Sequence, residues 1–215
     1  MKAIFCGQGA EPVVMARRLL GQHLCRRTRQ GICVGRIVET EAYLSEGDSA
    51  CHAAVGPNRK NASMYGPPDR AYVYTIHARQ CFNVVTQAAK VGSAVLIRAL
   101  EPVHGIELMQ LRRKTLKVRD LCRGPARLCE ALDIGRDMDA WDLSLGRRLW
   151  IEADHEVPTA DVVVSCRIGV TSAELLPLRF FVNGNTFVSG TRRQNTPLSS
   201  DSSEGFGGVR ISQHK

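Results

Sequence analysis

Apolar residues recur at Val14, Leu19, Leu20 and Leu24, with Arg17 and Arg18 on the other face, and this spacing predicts a helix over 11–25. Gly31 then punctuates the chain, and 32–43 reads as a strand rich in β-branched residues. Strict alternation puts Ile37, Glu39, Glu41 and Tyr43 on one face, with Val34, Arg36, Val38 and Ala42 on the other. Gly, Asn, Asp, Ser and Pro run through 45–68, which predicts loop and short turns. Strands at 71–76 and 82–86 are joined by five residues beginning at His77, a hairpin spacing without an Asn-Gly signal. A strand over 95–100, helices over 103–113 and 122–132, and strands over 162–170 and 178–188 follow. From Thr191 the composition turns to Ser, Gly, Asn, Gln and Arg, so 1–190 is expected to be the domain and 191–215 a flexible tail. Helices mixed with hairpin-joined strands, without regular βαβ alternation, predict the α+β class.

Composition narrows the field. A chain of 215 residues with 44% hydrophobic and 23% charged positions suits one ordinary globular core. The longest apolar runs, 94–97 and 162–164, fall far below the roughly 18 residues a membrane span needs. The first residues lack a secretory pattern, so an intracellular, cytoplasmic location is expected, with no membrane partner. Eight cysteines include no C-x-x-C spacing, which favours free, buried thiols and no metal site. Lys and Arg number 29 against 21 Asp and Glu, a net charge of +8 that favours a polyanionic partner. The cations concentrate in Arg17, Arg18, Arg26, Arg27 and Arg29, and in a stretch from Arg112 to Arg127 opposed only by Asp120 and suited to phosphates.

Candidate chemistry sits where polar residues interrupt apolar strands. Glu39 and Glu41 share a strand, either as a solvated face or as an acid–base group walled by Tyr43. Arg98 interrupts the run Val95-Leu-Ile-Arg-Ala-Leu100 and needs a carboxylate partner, Glu41 or another in a plain structural pair. Tyr72, Tyr74, His77 and Asn83 lie on the hairpin, either packing or probing a nucleic-acid groove.

The order of these motifs is more specific than any one of them. Ala16-Arg-Arg-Leu-Leu-Gly21, Gly35-Arg-Ile-Val-Glu-Thr-Glu-Ala-Tyr-Leu44, His52, Met64, Tyr72-Val-Tyr74, Asn83-Val84, Val95-Leu-Ile-Arg-Ala-Leu-Glu-Pro102, Arg123-Gly-Pro125, Arg167-Ile-Gly-Val170 and Pro177-Leu-Arg-Phe180 together resemble the alkyladenine (3-methyladenine) DNA glycosylase family over about residues 10–190. The resemblance implies a curved, mainly antiparallel sheet flanked by helices with a protruding hairpin, and a monomer that binds double-stranded DNA. It also implies hydrolytic release of flipped alkylated or deaminated purines without a cofactor, leaving an abasic site. By the same resemblance, Glu41 activates the water, helped by Arg98 and the backbone carbonyl of Ile168. Tyr43, His52, Tyr74 and Asn83 enclose the base, and His77 and Met64 enter the duplex. No lysine lies in this set, so strand cleavage through a Schiff base is not expected. The chain departs from the family at His77, which stands where a tyrosine is common, and in connections shortened between Tyr72 and Asn83 and between Thr171 and Pro177. The rivals are a non-catalytic nucleic-acid-binding module and a nucleosidase.

Overall fold

In the computed structural model, which describes residue 5 and residues 7–197, the first helix stops sooner than apolar spacing predicts. Helix α1 spans Pro12–Leu19. Gly21 turns the chain at φ +82°, where a side chain would meet the His155 carbonyl at 2.4 Å. The residues expected to finish the helix instead open strand β1, His23–Thr28. Strand β2, Gly31–Tyr43, is the spine of the sheet. Its first half pairs with β1 on one edge, and 39–41 pair on that same edge with strand β8, Arg179–Val182.

On the opposite edge β2 pairs with β5, Ala94–His104, which continues to the hairpin β3, Ala71–Ile76, and β4, Arg79–Val85. Strand β6, Leu149–Glu152, extends the sheet beyond β1, and β7, Val162–Ser165, pairs with β8. All pairs are antiparallel, giving eight strands and, with α2 (Ile106–Arg113) and α3 (Pro125–Leu132), three α-helices among the described residues. The class is α+β. Leu19, Ile37, Phe82, Ile97, Leu100, Leu128 and Leu132 are buried in one cluster between sheet and helices. Burial of each large side chain of this kind is worth about 1.5–3 kcal/mol. β6 lies in a Gly- and Arg-rich context that hid its four residues from the sequence pattern. α2 starts later than expected because Pro102 and Val103 stay in β5 and Gly105 turns at φ +74°.

Two details of register govern the site. Ile37 faces Leu100, Glu39 faces Ala99 and Thr40 faces Ile97, so Val38 and then Arg98 stand without a cross-strand partner. An unpaired residue shifts the parity of side chains. Ile37 therefore joins Ala42 in the main core, and Thr40 Oγ1 donates to the Ala16 carbonyl of α1. Val38 packs instead with Ala99, Phe181 and Val188. The predicted alternation that grouped Ile37 with Glu39 and Glu41 is corrected by this slip. The hairpin also closes more tightly than five residues: Ile76 pairs with Arg79, leaving His77 (φ +47°) and Ala78 (φ +61°) as a two-residue turn. Left-handed values at both positions match a type I′ turn, formed here without glycine.

The 45–68 segment contains short 3-10 turns at His52–Val55 and Ala62–Tyr65. Another 3-10 turn, Arg193–Asn195, lies within the segment expected to be a flexible tail, of which 198–215 fall outside the described residues. Among the described residues no helix is long and apolar enough to cross a membrane.

Candidate active site

Glu41 on β2 faces Leu96 on β5, Leu96 faces Asn83 on β4, and Asn83 faces Tyr72 on β3. One row of four strands thus carries a carboxylate toward an aromatic group. Glu41 is fully buried. Its Oε1 accepts the Ile168 N–H at 2.8 Å and lies 3.2 Å from Arg98 Nη1, while its Oε2 accepts the Tyr43 hydroxyl at 2.9 Å. An ionised carboxylate offers about four acceptor positions, and three are taken on Glu41, one of them on Oε2. Burial first, then the Glu41 charge, pushes the Tyr43 phenol upward, which keeps it protonated and donating.

Arg98 reaches the site because the register slip leaves it free of the ladder. Its Nη1 donates to the Ile168 carbonyl at 3.2 Å, and its Nε donates to Glu39 Oε1 at 3.1 Å. Burial disfavours its charge, but Glu41 and then Glu39 outweigh that and raise its pKa, so it is a fixed cation. Glu39 belongs to a separate network. Its Oε1 also accepts from Arg179 Nε at 2.6 Å and Ser189 Oγ at 3.0 Å, and its Oε2 from the Ser189 N–H at 2.7 Å. Burial would raise its pKa, but the Arg98 and Arg179 charges and the Ser189 N–H hold it below the ordinary 4.5. Arg179 is itself tied to Ser165 Oγ, to the Gln194 carbonyl and to Asn195 Oδ1, so the 3-10 turn after residue 190 closes this network.

The aromatic side is continuous. His52 meets Tyr74 edge-on with ring centres 4.6 Å apart, and its Nδ1 lies 2.7 Å from the Tyr72 hydroxyl. Tyr74 is half-buried, its phenol pushed up mainly by burial, and Asn83 is buried with Nδ2 donating to the Tyr72 carbonyl at 3.0 Å. Tyr43, Glu41, Arg98, Ile168, Tyr74, His52 and Asn83 therefore gather on connected strands and turns. His77 is exposed at the hairpin tip. Met64 is not: it is 2% exposed and packs with Cys51, Tyr72 and Val85, so its side chain sits beneath the aromatic group rather than where a duplex could receive it.

Four residues were missed as parts of this site. Arg179 carries the same signal as Arg98, a cation inside an apolar strand, and Tyr72 lies on the hairpin that the sequence reads as either packing or probing a groove. Asp48 and Arg167 form a fully buried ion pair against Tyr43, and nothing in their loop contexts predicts it. The cationic stretch from Arg112 to Arg127 proves largely engaged within the fold. Arg112 donates to the Ala131 carbonyl, Arg113 to Glu130, Arg119 to the Thr186 carbonyl, and Arg123 to the carbonyls of Val188 and Gly190.

Comparison with known proteins follows the same residues. A family model described as methylpurine-DNA glycosylase matches residues 7–186. A protein of Rhodopirellula baltica, provisionally named 3-methyladenine DNA glycosylase, is 47% identical over 190 residues, covering 86% of this chain and 81% of its own. Proteins with the same provisional name from Carboxydothermus hydrogenoformans and Chlorobaculum parvum are each 43% identical, over 82% and 85% of this chain and 93% and 88% of theirs. With the match running from before α1 through β8 and spanning every strand that builds the carboxylate site, the chain belongs to the methylpurine-DNA glycosylase family of DNA repair enzymes.

Proposed function

We propose that this protein binds double-stranded DNA as a monomer inside the cell, flips a damaged purine out of the stack and hydrolyses its N-glycosidic bond. The bases in question are 3-methyladenine, 7-methylguanine, hypoxanthine and etheno-adenine. The observation that carries this reading is the buried Glu41 carboxylate, held by three donors beside Tyr43, Tyr74 and His52. A water on the free position of Oε2 gives its proton to Glu41 as its oxygen bonds to C1′. The electron pair of the C1′–N bond leaves with the base. Positive charge developing on the sugar is stabilised by the carboxylate, as in glycoside hydrolysis. Arg98 and Ile168 hold Glu41 and the water in line. Tyr43 and Tyr74 offer faces to the flipped base, and a cationic methylated purine gains about 0.5–2 kcal/mol from such a face. Exposed His77, on a turn that leaves no slack, is suited to fill the space the flipped nucleotide vacates.

The test is base release from duplex oligonucleotides that carry one hypoxanthine or etheno-adenine, and from methylated DNA, followed by alkaline cleavage of abasic sites. Strands should stay intact until alkali is added, since no amine nucleophile takes part. Glu41→Gln is expected to bind the lesion duplex while excision falls at least ~100-fold, the scale of a lost general base. A wild-type protein that binds lesion DNA and releases no base would make it a non-catalytic binding module.

A further inference from the structure

Glu41 has three donors, and one residue outside the reaction controls two of them. Arg167 precedes Ile168, whose N–H donates to Glu41 Oε1 and whose carbonyl accepts from Arg98. The same Arg167 guanidinium lies 4.6 Å from the ring centre of Tyr43, the donor to Oε2. It is held there by two bonds to Asp48, at 2.7 and 2.6 Å, and a third at 3.1 Å to the carbonyl of Ala42, between Glu41 and Tyr43. Asp48 in turn accepts the N–H groups of Leu44 at 3.0 Å and Ala50 at 3.1 Å, so it fixes the turn that leads to His52. Both side chains of the pair are fully buried.

We propose that the Asp48–Arg167 pair is the positioning device of this site, locking the Ile168 peptide and the Tyr43 ring onto Glu41. This inference rests on the glycosylase reading above. A buried ion pair contributes little net stability, because desolvation of two charges cancels most of their attraction, and an apolar replacement of both is often neutral. What such a pair supplies is geometry: a planar, bidentate guanidinium admits one arrangement, and here that arrangement joins β2, the 44–50 turn and the 166–168 bend. Displacement of a reacting group by about 1 Å can cost ~100-fold in rate. Both side chains are fully buried and bonded within the protein, so they act through Ile168 and Tyr43.

The experiment compares wild type, Arg167→Lys and the neutral double variant Asp48→Asn/Arg167→Met. It measures thermal stability, single-turnover excision of hypoxanthine at saturating enzyme, and affinity for a duplex carrying a non-cleavable abasic-site analogue. The analogue leaves the base pocket empty, so it reports DNA binding apart from Tyr43. The double variant is expected to melt close to wild type, to bind the analogue within ~3-fold, and to excise at least ~10-fold more slowly, with Arg167→Lys in between. Excision within ~3-fold of wild type in the double variant overturns the proposal. So does a loss confined to analogue affinity, or one that vanishes when rates are corrected for the folded fraction. Should the double variant not fold, Arg167→Lys decides: a folded enzyme with wild-type rate overturns the proposal. Absence of excision by wild type itself would instead overturn the glycosylase reading.

Discussion

Glu39 and Glu41 are two residues apart on one strand, both fully buried, and their surroundings divide their tasks. Glu41 meets one guanidinium, one peptide N–H and one phenol, and retains an acceptor position. Glu39 takes four bonds instead, from Arg98, Arg179 and Ser189, two of them from guanidinium groups. Its pKa in the fold lies below its ordinary value, so its contribution is present in full above about pH 4.5 and is lost as pH falls through the depressed value. Glu39→Gln leaves buried Arg179 without its carboxylate and Arg98 with Glu41 alone, and is expected to lower stability by about 3–5 kcal/mol at neutral pH. Urea melts of both proteins across pH 3 to 7 should show that gap narrowing only below about pH 4.5. A gap independent of pH would mean that Glu39 is not ionised in the fold. The sequence placed both carboxylates in an apolar strand, and their resemblance to a known motif favoured Glu41. The donors to Glu39 come from residues 59 to 150 positions away, beyond the reach of any local pattern.

At the level of elements, the slip between β2 and β5 and the turn between β3 and β4 do the most to place functional groups. The slip frees Arg98 from the ladder and turns Val38 away from Ile37. The turn holds His77 and Ala78 at left-handed angles that cost non-glycine residues about 1–2 kcal/mol each. Ala78→Gly should therefore raise stability by about 0.5–1 kcal/mol after the added freedom of the unfolded chain is subtracted, read as a higher urea midpoint. An unchanged or lower midpoint would mean that position 78 does not hold the left-handed conformation. Strand composition made the hairpin legible. Its two-residue turn was not, because His-Ala carries no turn signal and only the pairing of Ile76 with Arg79 sets the register.

Across the whole molecule, the site is closed by a segment beyond the matched family region. The match ends at residue 186, yet Ser189 makes two bonds to Glu39, and Gln194 and Asn195 accept from Arg179. A chain ended after Thr186 is expected to lose both stability and excision, whereas one ended after Pro197 should keep this network; equal behaviour of the two in melting and excision assays would show that the closing segment is dispensable. The net charge of +8 takes on a different meaning at this scale. Much of the stretch from Arg112 to Arg127 ties α2, α3 and the 186–190 segment together, so charge density along the chain overstated its phosphate-binding surface. The sequence by itself determined the α+β class, most strands, the family and the carboxylate–arginine–aromatic set, because these depend on local periodicity and on motif order. Only the tertiary structure decided which carboxylate adjoins the aromatic group, why Met64 packs inward and how Arg167 reaches both Tyr43 and Asp48. Those depend on register and on bonds between distant segments, where one unpaired residue moves every side chain that follows it.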